Sequence, residues 1–341
     1  MNRFFSTFAS GLTPVIAEFL QCDINLRFVN QWDGLIEYYA DISQLDKIRH
    51  LPYLQNTFVI IESLRGDIGS MLNLLSQQNG KLKNFSFNRQ LMPNKKRTFR
   101  VVVSEENKLV GINNDTMLRI EKNICNATGL NVDRKNPGCQ FWILQRSEGC
   151  TFFAIRVTEL KTEDKDRARG ELRPQLAYVL ARMSEPKENE LFIDPCCGSG
   201  SIPFARVKMT KKGLIIACDT DGQLITMLKE KVKKLDLKKK FVVRQSDVLE
   251  LHKYYNACIH KVVSDPPWGC FEEIDDIVDF YDRLFSELLE VLVPNGLMVL
   301  LIGTDVFPKI LEKYKDKCML LGKYDILVSG KKASIYKIEK L

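Results

Sequence analysis

The strongest chemical pattern in this sequence is Asp265-Pro266-Pro267-Trp268, which directly follows the apolar run Lys261–Ser264. Two prolines after a strand end its pairing and fix the turn, so the groups beside them are held rigidly. The Asp265 carboxylate and the Pro266 carbonyl can hold the two N–H groups of an exocyclic base amine, while the Trp268 ring stacks on the base. We therefore expect chemistry on an aromatic amine, with Asp265 or solvent as the proton acceptor.

An amine of this kind is a poor nucleophile, because its lone pair is delocalised into the ring. Holding both N–H groups directs the lone pair at an electrophile, and a methyl sulfonium is already activated and requires no metal. The base must also leave its helix to reach such a pocket. The competing interpretation of the segment is a structural turn with a core tryptophan.

A glycine-rich turn is the second pattern. It lies between a predicted strand and a predicted helix and consists of Asp194, Pro195, Cys196, Cys197, Gly198, Ser199 and Gly200. The glycines let the backbone approach a ligand, and the N-terminus of the helix offers free N–H groups to a carboxylate or a phosphate. Pro203 replaces the third glycine of the dinucleotide pattern G-x-G-x-x-G. The turn favours the methionine carboxylate of S-adenosylmethionine, with the pyrophosphate of NAD as the alternative.

Acidic residues stand at the ends of the next two predicted strands. Asp219, followed by Thr220, ends the second strand, where a carboxylate can take both ribose hydroxyls of a nucleoside. Asp247 follows the third strand, between Ser246 and Val248, and can accept a hydrogen bond from an adenine amine. Its alternative role is an N-cap. Because ligands of open α/β sheets bind at the carboxyl ends of strands, we expect these residues to line the donor pocket with the glycine-rich turn.

The segment 81–100 is basic and contains no acidic residue. Its cations are Lys81, Lys83, Arg89, Lys95, Lys96, Arg97 and Arg100. Three phenylalanines are interleaved with them. In a chain of net charge +7, this arrangement predicts contact with nucleic-acid phosphates, because each cation near the backbone releases a condensed counterion. A solvated loop is the alternative interpretation.

The second half of the chain alternates strand and helix patterns. Its predicted strands are Leu191–Asp194, Leu214–Asp219, Phe241–Gln245, Lys261–Ser264 and Leu297–Ile302, and its predicted helices cover about 202–208, 222–235, 275–292 and 306–314. This alternation predicts a parallel sheet covered on both faces. Two further runs, Met319–Val328 and Ala333–Ile338, are joined so closely that only an antiparallel hairpin connects them. A hairpin at that place distinguishes the methyltransferase variant of the doubly wound fold.

The first 165 residues or so are less regular and predict α+β structure. One group of elements is a strand at Phe4–Phe8, a helix at Pro14–Leu20 and strands at Asn25–Phe28 and Gly34–Tyr39. A second group is a strand at Phe99–Val103, an amphipathic stretch at Asn114–Thr128 and strands at Gln140–Gln145 and Thr151–Val157. The charged stretch Glu159–Arg169 serves as the linker to the C-terminal domain.

Together with the two motifs, the stretch Arg167–Ala177, RARGELRPQLA, resembles the THUMP-domain RNA methyltransferases. The resemblance is to the tRNA guanine-N2 branch, of TrmN type, and the start at Phe5–Pro14 is similar to that of the family. It implies an α/β fold, in which a Rossmann-fold methyltransferase domain follows an N-terminal α+β RNA-binding region. The implied domains are a ferredoxin-like domain at 1–70, a THUMP domain at 71–160, a linker and leading helix at 161–180, and an S-adenosylmethionine-dependent methyltransferase domain at 181–341.

The resemblance also implies roles for individual residues. The donor would be bound by Asp194, Gly198, Gly200, Asp219 and Asp247, and Arg173 would lie on the helix that borders the donor pocket. Asp265 and Pro266 would hold the amine of a guanosine in tRNA, at the sixth position of the acceptor stem, with Trp268 stacking.

Two residues depart from the family pattern. Cys196 stands where phenylalanine is frequent, and Trp268 stands where Tyr, Phe or His is commoner. The motif D-P-P-W also occurs in adenine-N6 methyltransferases, so methylation of adenine in RNA or DNA is the alternative activity. A catalytically silent RNA-binding scaffold is a further alternative. A protein-glutamine methyltransferase would carry N-P-P-Y, which is absent.

The composition of the chain argues against a metal protein and against a membrane-spanning protein. The ten cysteines form no C-x-x-C pair and only three histidines accompany them, so we expect no metal and a reducing compartment. No apolar stretch of about 18 residues is present to span a bilayer, which predicts a soluble, cytoplasmic protein. The sequence is compatible with a monomer and with a partner subunit.

Overall fold

The computed structural model describes residues 1–77, 87–159, 171–269 and 274–341. The chain divides into two compact units, one of Met1–Phe8 with Thr13–Asp164 and the other of Ala9–Leu12 with Lys165–Leu341. Each unit is built around one β-sheet. Within the described ranges, no helix is both long and apolar enough to cross a membrane.

The first unit has a nine-stranded sheet. Its strands are β1 (Asn2–Thr7), β2 (Leu26–Trp32), β3 (Leu35–Ala40), β4 (Asn56–Arg65), β5 (Thr98–Glu105), β6 (Lys108–Leu109), β7 (Asn131–Val132), β8 (Cys139–Gln145) and β9 (Cys150–Arg156). Its helices are α1 (Thr13–Asp23), α2 (Leu45–Arg49), α3 (Ile68–Ser76) and α4 (Asn114–Thr128), with short 3-10 helices at Ile42–Gln44 and Arg89–Leu91.

The strand order of this sheet is β2-β3-β1-β4-β9-β8-β5-β6, and β7 pairs with β5. Strands on both sides of residue 70 share the sheet, through the antiparallel pair of β4 and β9. The separation into a ferredoxin-like domain at 1–70 and a THUMP domain at 71–160 stays a prediction. The predicted α+β character is confirmed, because helices and strands pack together in one unit.

Strand β4 was missed by the sequence analysis although it pairs with both β1 and β9. Its residues Phe58–Ile61 form a continuous apolar run, which does not distinguish a buried strand from a buried helix segment. The register also shifts between Ile60 and Glu62, so the strand lacks regular alternation. Its strand conformation therefore depends on pairing with the two neighbouring strands, β1 and β9.

The second unit has a seven-stranded sheet. Its strands are β10 (Leu191–Asp194), β11 (Leu214–Asp219), β12 (Phe241–Gln245), β13 (Ile259–Ser264), β14 (Leu292–Ile302), β15 (Cys318–Val328) and β16 (Lys331–Lys340). Its helices are α5 (Pro174–Met183), α6 (Ser201–Arg206), α7 (Gly222–Lys234), α8 (Ile277–Val291) and α9 (Phe307–Lys313), with a 3-10 helix at Val248–Lys253.

The strand order is β12-β11-β10-β13-β14-β16-β15. Strands β10 to β14 are parallel to one another, and β16 is antiparallel to both β14 and β15. The predicted parallel sheet that ends in an antiparallel hairpin is therefore confirmed. The hairpin turn is tighter than predicted, because only Ser329 and Gly330, with φ of 51° and 83°, separate the strands.

The core of this unit explains why these segments form a layered fold. Helix α8 buries Tyr281, Phe285 and Leu288, which recur at helical spacing on one face. They pack against apolar residues of β13 and β14, such as Val262 and Met298, in one cluster. The carboxyl ends of the parallel strands are thereby held at one fixed edge.

Candidate active site

The three acids expected in the site lie at the carboxyl edge of the second sheet. Strand β10 lies between β11 and β13, and all three strands are parallel. Asp194 and Asp219 are the last residues of β10 and β11, and Asp265 directly follows β13. The structure therefore brings these carboxylates together where ligands bind in open α/β sheets.

A buried hydrogen bond joins the two motifs. Asp194 Oδ1 accepts from Ser264 Oγ at 2.8 Å and from the Cys196 amide at 3.3 Å. Asp194 and Ser264 are each 1% exposed, and Ser264 is the neighbour of Asp265. Ser264 was not predicted as a site residue. Its position, at the last place of a strand before the Asp-Pro-Pro-Trp segment, is the signal that could have identified it.

The second oxygen of Asp194 is unsatisfied. Asp194 Oδ2 is buried and has no hydrogen-bond partner in the described part of the chain. Burial raises the pKa of this carboxyl to about 8, and the charges of Asp265 and Asp219 act in the same direction. A buried acceptor without a partner is costly, so this oxygen is suited to an N–H group or a cation of a ligand.

The Asp219 carboxylate holds the glycine-rich turn. The amide of Gly198 donates to Asp219 Oδ2 at 2.8 Å, and the amide of Asp221 donates to Oδ1 at 3.0 Å. A carboxylate has about four lone-pair sites, so both oxygens can still accept from hydroxyl groups. Space around the Cα of Gly198 is open to 4 Å in the direction of a Cβ. The predicted contact of Asp219 with ribose stays a prediction.

Gly200 turns the backbone into helix α6. Its φ is 87°, and a Cβ there would lie 2.6 Å from Leu228 Cδ1 and 3.2 Å from the Phe204 ring. Both the backbone conformation and the close packing therefore require glycine. Helix α6 is only six residues long.

The remaining residues predicted around this turn occupy different environments. Pro195 and Cys197 are buried, and Arg173 is exposed at the N-cap of α5. Ser199 Oγ donates to Glu171 Oε1 at 2.8 Å. Glu171 is a contact that the sequence analysis missed, because nothing in its local sequence indicates that it meets the glycine-rich turn.

Asp247 caps a helix, which is the role that the sequence analysis gave as the alternative to adenine recognition. Its Oδ1 accepts from the Leu249 amide at 2.8 Å and caps the 3-10 helix that follows. The side chain is exposed. Contact with an adenine amine stays a prediction.

The residues next to these acids are placed by backbone contacts. The Thr220 carbonyl accepts from Gln245 Nε2 at 2.9 Å, and the Ser246 amide donates to the Asp219 carbonyl at 3.0 Å. Val248 is buried. The ends of β11 and β12 are thus tied together beside the glycine-rich turn.

The Asp-Pro-Pro-Trp segment is internally bonded. Trp268 Nε1 donates to Asp265 Oδ1 at 2.9 Å. Burial raises the pKa of Asp265 to about 7, and the bond from Trp268 opposes that rise. Pro266 is buried, and no hydrogen bond to its carbonyl is formed by the described residues. Asp265 Oδ2 and the Pro266 carbonyl are the two acceptors expected to face an amine.

Two residues outside the motif fix this segment, and the sequence analysis missed both. A Cβ on Gly303, which follows β14, would lie 2.1 Å from Cδ2 of Trp268, so the indole packs directly on the glycine backbone. Tyr281 Oη donates to the Pro267 carbonyl at 2.8 Å, and Tyr281 is fully buried on α8. These contacts join segments that are distant in sequence, and no local pattern indicates them.

The predicted basic residues do not share one environment. Lys81 and Lys83 lie outside the described residues. Exposed side chains are found at Arg89, Lys95, Lys96 and Arg97. Arg100 lies within the sheet on β5 and is half-buried. The structure therefore does not place Arg100 with the exposed cations. Over the described ranges, no group of three or more His, Cys, Asp or Glu residues is arranged to hold a metal ion.

One family model matches the C-terminal part of the chain. Residues 163–323 match the family model UPF0020, the RMKL-like methyltransferase domain. This match confirms the methyltransferase domain that the two motifs predicted.

Curated relatives resemble the chain over part of its length. A tRNA (guanine(10)-N2)-dimethyltransferase of Methanocaldococcus jannaschii is 26% identical over 181 residues, which is 48% of this chain and 48% of the relative. A tRNA (guanine(6)-N2)-methyltransferase of Thermus thermophilus is 24% identical over 209 residues, which is 60% of this chain and 62% of the relative. The chain thus spans less than two thirds of the length of either relative. Over the matched residues, the predicted resemblance to the tRNA guanine-N2 methyltransferases is confirmed.

A solved structure shows the same fold along the whole chain. TrmN from Thermus thermophilus superposes with a TM-score of 0.77 at 19% identity, and the alignment covers 100% of both chains. The predicted fold class, a Rossmann-fold methyltransferase domain with an N-terminal α+β region, is confirmed. At this identity the likeness concerns the fold alone.

Proposed function

We propose that the chain, whose residues 163–323 match the RMKL-like methyltransferase domain, methylates the N2 amine of a guanosine in tRNA. S-adenosylmethionine is the proposed methyl donor, and the sixth position of the acceptor stem is the proposed target. The names of the two relatives support the base and the substrate. A tRNA substrate supports a cytoplasmic location.

The residues at the carboxyl edge fit this donor. The unsatisfied, buried Asp194 Oδ2 is an acceptor for an ammonium group or for another N–H donor. Asp219 keeps lone pairs for ribose hydroxyls, and the open space at Gly198 admits a ligand against the backbone. When bound, S-adenosylmethionine supplies a methyl group on a cationic sulfur, which is an activated electrophile.

The Asp-Pro-Pro-Trp segment fits the acceptor. Asp265 Oδ2 and the Pro266 carbonyl hold the two N–H groups of the base amine, so that its lone pair is free to attack the methyl carbon. The N–C bond forms as the C–S bond breaks, and the Asp265 carboxylate accepts the proton that the amine loses. With a pKa of about 7, a large fraction of Asp265 is ionised near neutral pH.

One observation carries the proposal. The hydrogen bond from Ser264 Oγ to Asp194 Oδ1, 2.8 Å long, fixes the donor turn beside the segment that holds the amine. The donor and the acceptor amine must be held in a near-attack geometry for efficient transfer, and a buried hydrogen bond between their two binding loops helps to hold it.

The test uses the full chain with methyl-labelled S-adenosylmethionine and bulk tRNA, followed by digestion to nucleosides. Label in N2-methylguanosine is the expected result, and mapping by primer extension or mass spectrometry assigns the position. Label in N6-methyladenosine would overturn the base assignment in favour of the alternative activity. No label in tRNA, together with no thermal shift by S-adenosylmethionine, would favour the RNA-binding scaffold.

A further inference from the structure

The sheet of the first unit carries a row of three polar side chains across neighbouring strands. Arg100 on β5 is the register partner of Gln140 on β8, and Gln140 is the partner of Arg156 on β9. Partner residues on adjacent strands project to the same face of a sheet. Two cations therefore flank one amide on one face.

The amide of Gln140 has a defined orientation and an unmet donor. Gln140 is 2% exposed, and its Oε1 accepts from Trp142 Nε1 at 3.0 Å. An indole nitrogen only donates, so the oxygen of the amide must face Trp142 and the nitrogen must face away. Gln140 Nε2 is buried without a hydrogen-bond partner in the described part of the chain.

Among the described residues, the two arginines also lack charged partners. Arg100 Nε is buried and unpartnered among the described residues. In the described part of the chain, Arg156 donates to neutral oxygens, from Nε to Thr158 Oγ1 at 3.3 Å and from Nη2 to the Glu159 carbonyl at 3.1 Å. Burial, and to a lesser extent the charge of Arg100, lowers the pKa of Arg156 to about 10. The two guanidinium groups thus repel each other.

Three other arginines of this unit are neutralised by carboxylates. Their ion pairs are Arg3–Glu37, Arg134–Glu121 and Arg146–Glu148. Within the described ranges, neither Arg100 nor Arg156 has a carboxylate in such a pair. Partly buried like charges without a counter-charge are costly, and a bound anion would compensate them.

We propose that Arg100, Gln140 and Arg156 bind one phosphate group. Each guanidinium presents N–H donors in a planar fork that matches phosphate oxygens, and Gln140 Nε2 adds a neutral donor between them. A phosphate of tRNA and a free phosphate ion satisfy the same donors. The assignment of the bound phosphate to tRNA rests on the function proposed above. The phosphate site itself does not depend on that function.

The first test measures thermal unfolding of the full chain in sodium phosphate and in sodium chloride at equal ionic strength. We expect the wild type to unfold at a higher temperature in phosphate. Arg100→Met keeps the apolar stem and removes one of the repelling charges. In chloride, this variant is expected to unfold at a higher temperature than the wild type. In phosphate, its unfolding temperature is expected to rise by less than that of the wild type, because phosphate also stabilises folded proteins generally.

The exposed Arg27, which lies 5.0 Å above the Tyr39 ring, provides the control. Arg27→Met is expected to keep the phosphate response of the wild type. Arg156→Met is a second variant with the same expected reduction in response, in case Arg100→Met does not fold. A wild type without a phosphate response, or folded Arg100→Met or Arg156→Met variants with an undiminished one, would overturn the site.

A second measurement separates tRNA from free phosphate. The salt dependence of tRNA binding reports the number of phosphate contacts, and the loss of one contact reduces its log–log slope by about 1. We expect this reduction for Arg100→Met and the wild-type slope for Arg27→Met. Equal slopes in all three proteins would overturn the tRNA assignment. Failure of tRNA methylation would contradict the proposed function and leave the inorganic phosphate result unaffected.

Discussion

The indole nitrogen of Trp268 donates a hydrogen bond of 2.9 Å to Asp265 Oδ1. The bond fixes which carboxylate oxygen remains for the substrate amine, namely Oδ2. It also favours the charged form of the carboxyl, and so opposes the burial that raises the pKa of Asp265 to about 7. Trp268 is therefore a positioning residue for the proton acceptor, in addition to its proposed stacking on the base.

Trp268→Phe keeps an aromatic face and removes the donor. Because the bond stabilises the carboxylate, its loss should raise the pKa of Asp265 by about one unit, from the usual strength of a hydrogen bond to a charged group. The rate of methyl transfer rises with pH as Asp265 ionises, so this rise should move to higher pH. Single-turnover rates between about pH 5 and about pH 9 measure the shift.

Trp32→Phe is the control, because it removes an indole from the first unit. The pH dependence of its methylation rate should match that of the wild type. The role assigned to Trp268 is contradicted if Trp268→Phe lowers the rate equally at every pH, because that result indicates a loss of stacking alone.

Asp265→Asn preserves the shape of the side chain but removes the proton acceptor. We expect the methylation rate to fall by about 10²- to 10⁴-fold, the usual contribution of a general base. Binding of S-adenosylmethionine should persist, because the donor contacts are assigned to Asp194 and Asp219. Rapid-quench kinetics and a thermal shift with the donor separate these two effects. The exposed Asp279 supplies the control variant Asp279→Asn, for which wild-type rates are expected.

The sequence predicted the placement of three acids at one edge of the sheet. Asp194, Asp219 and Asp265 each end or follow a short apolar run, and such runs pair as parallel strands whose carboxyl ends share one edge. The order of these acids along the chain therefore predicts their proximity. The same reasoning predicted the final hairpin, because so short a connection permits only antiparallel pairing.

Contacts between distant segments were not predictable from these patterns. The bond from Tyr281 to the Pro267 carbonyl and the packing of Trp268 on Gly303 depend on how α8 and β14 approach the segment after β13. A buried tyrosine on an amphipathic helix has the same sequence pattern whether or not its hydroxyl bonds to a loop. Arg100 was grouped with exposed cations nearby in sequence, although its strand places it beside Gln140.

Gly303→Ala tests the packing of the indole. A Cβ there would lie 2.1 Å from the Trp268 ring, a distance that forces the ring to move. Displacement should break the bond to Asp265 and misplace the stacking surface, so we expect a rate reduction of about 10²-fold, as for misplacement by about 1 Å. Gly111→Ala is the matched control, since nothing lies within 4 Å of its Cβ position. Equal rates for the two variants would show that Trp268 is not held by Gly303.

Asp194→Asn tests the buried acid through the pH dependence of stability. The pKa of Asp194 is about 8 in the folded protein and about 3.9 in an unfolded chain. Between these values the folded state holds a proton that the unfolded state lacks, so this carboxyl makes the free energy of unfolding decrease as pH rises. In the variant, that slope should be shallower by up to about 1.4 kcal/mol per pH unit.

Urea unfolding of the unliganded protein at about pH 5, 6 and 7 measures the slope, and Asp316→Asn, at an exposed position, should reproduce the wild type. Wild-type affinity for S-adenosylmethionine should increase towards pH 8, because a cationic ligand favours the ionised Asp194 and releases its proton. Asp194→Asn should bind the donor weakly, without that increase. An identical stability slope in the variant would contradict the raised pKa of Asp194. Tight, pH-independent donor binding by the wild type would contradict the contact between Asp194 and the cationic donor.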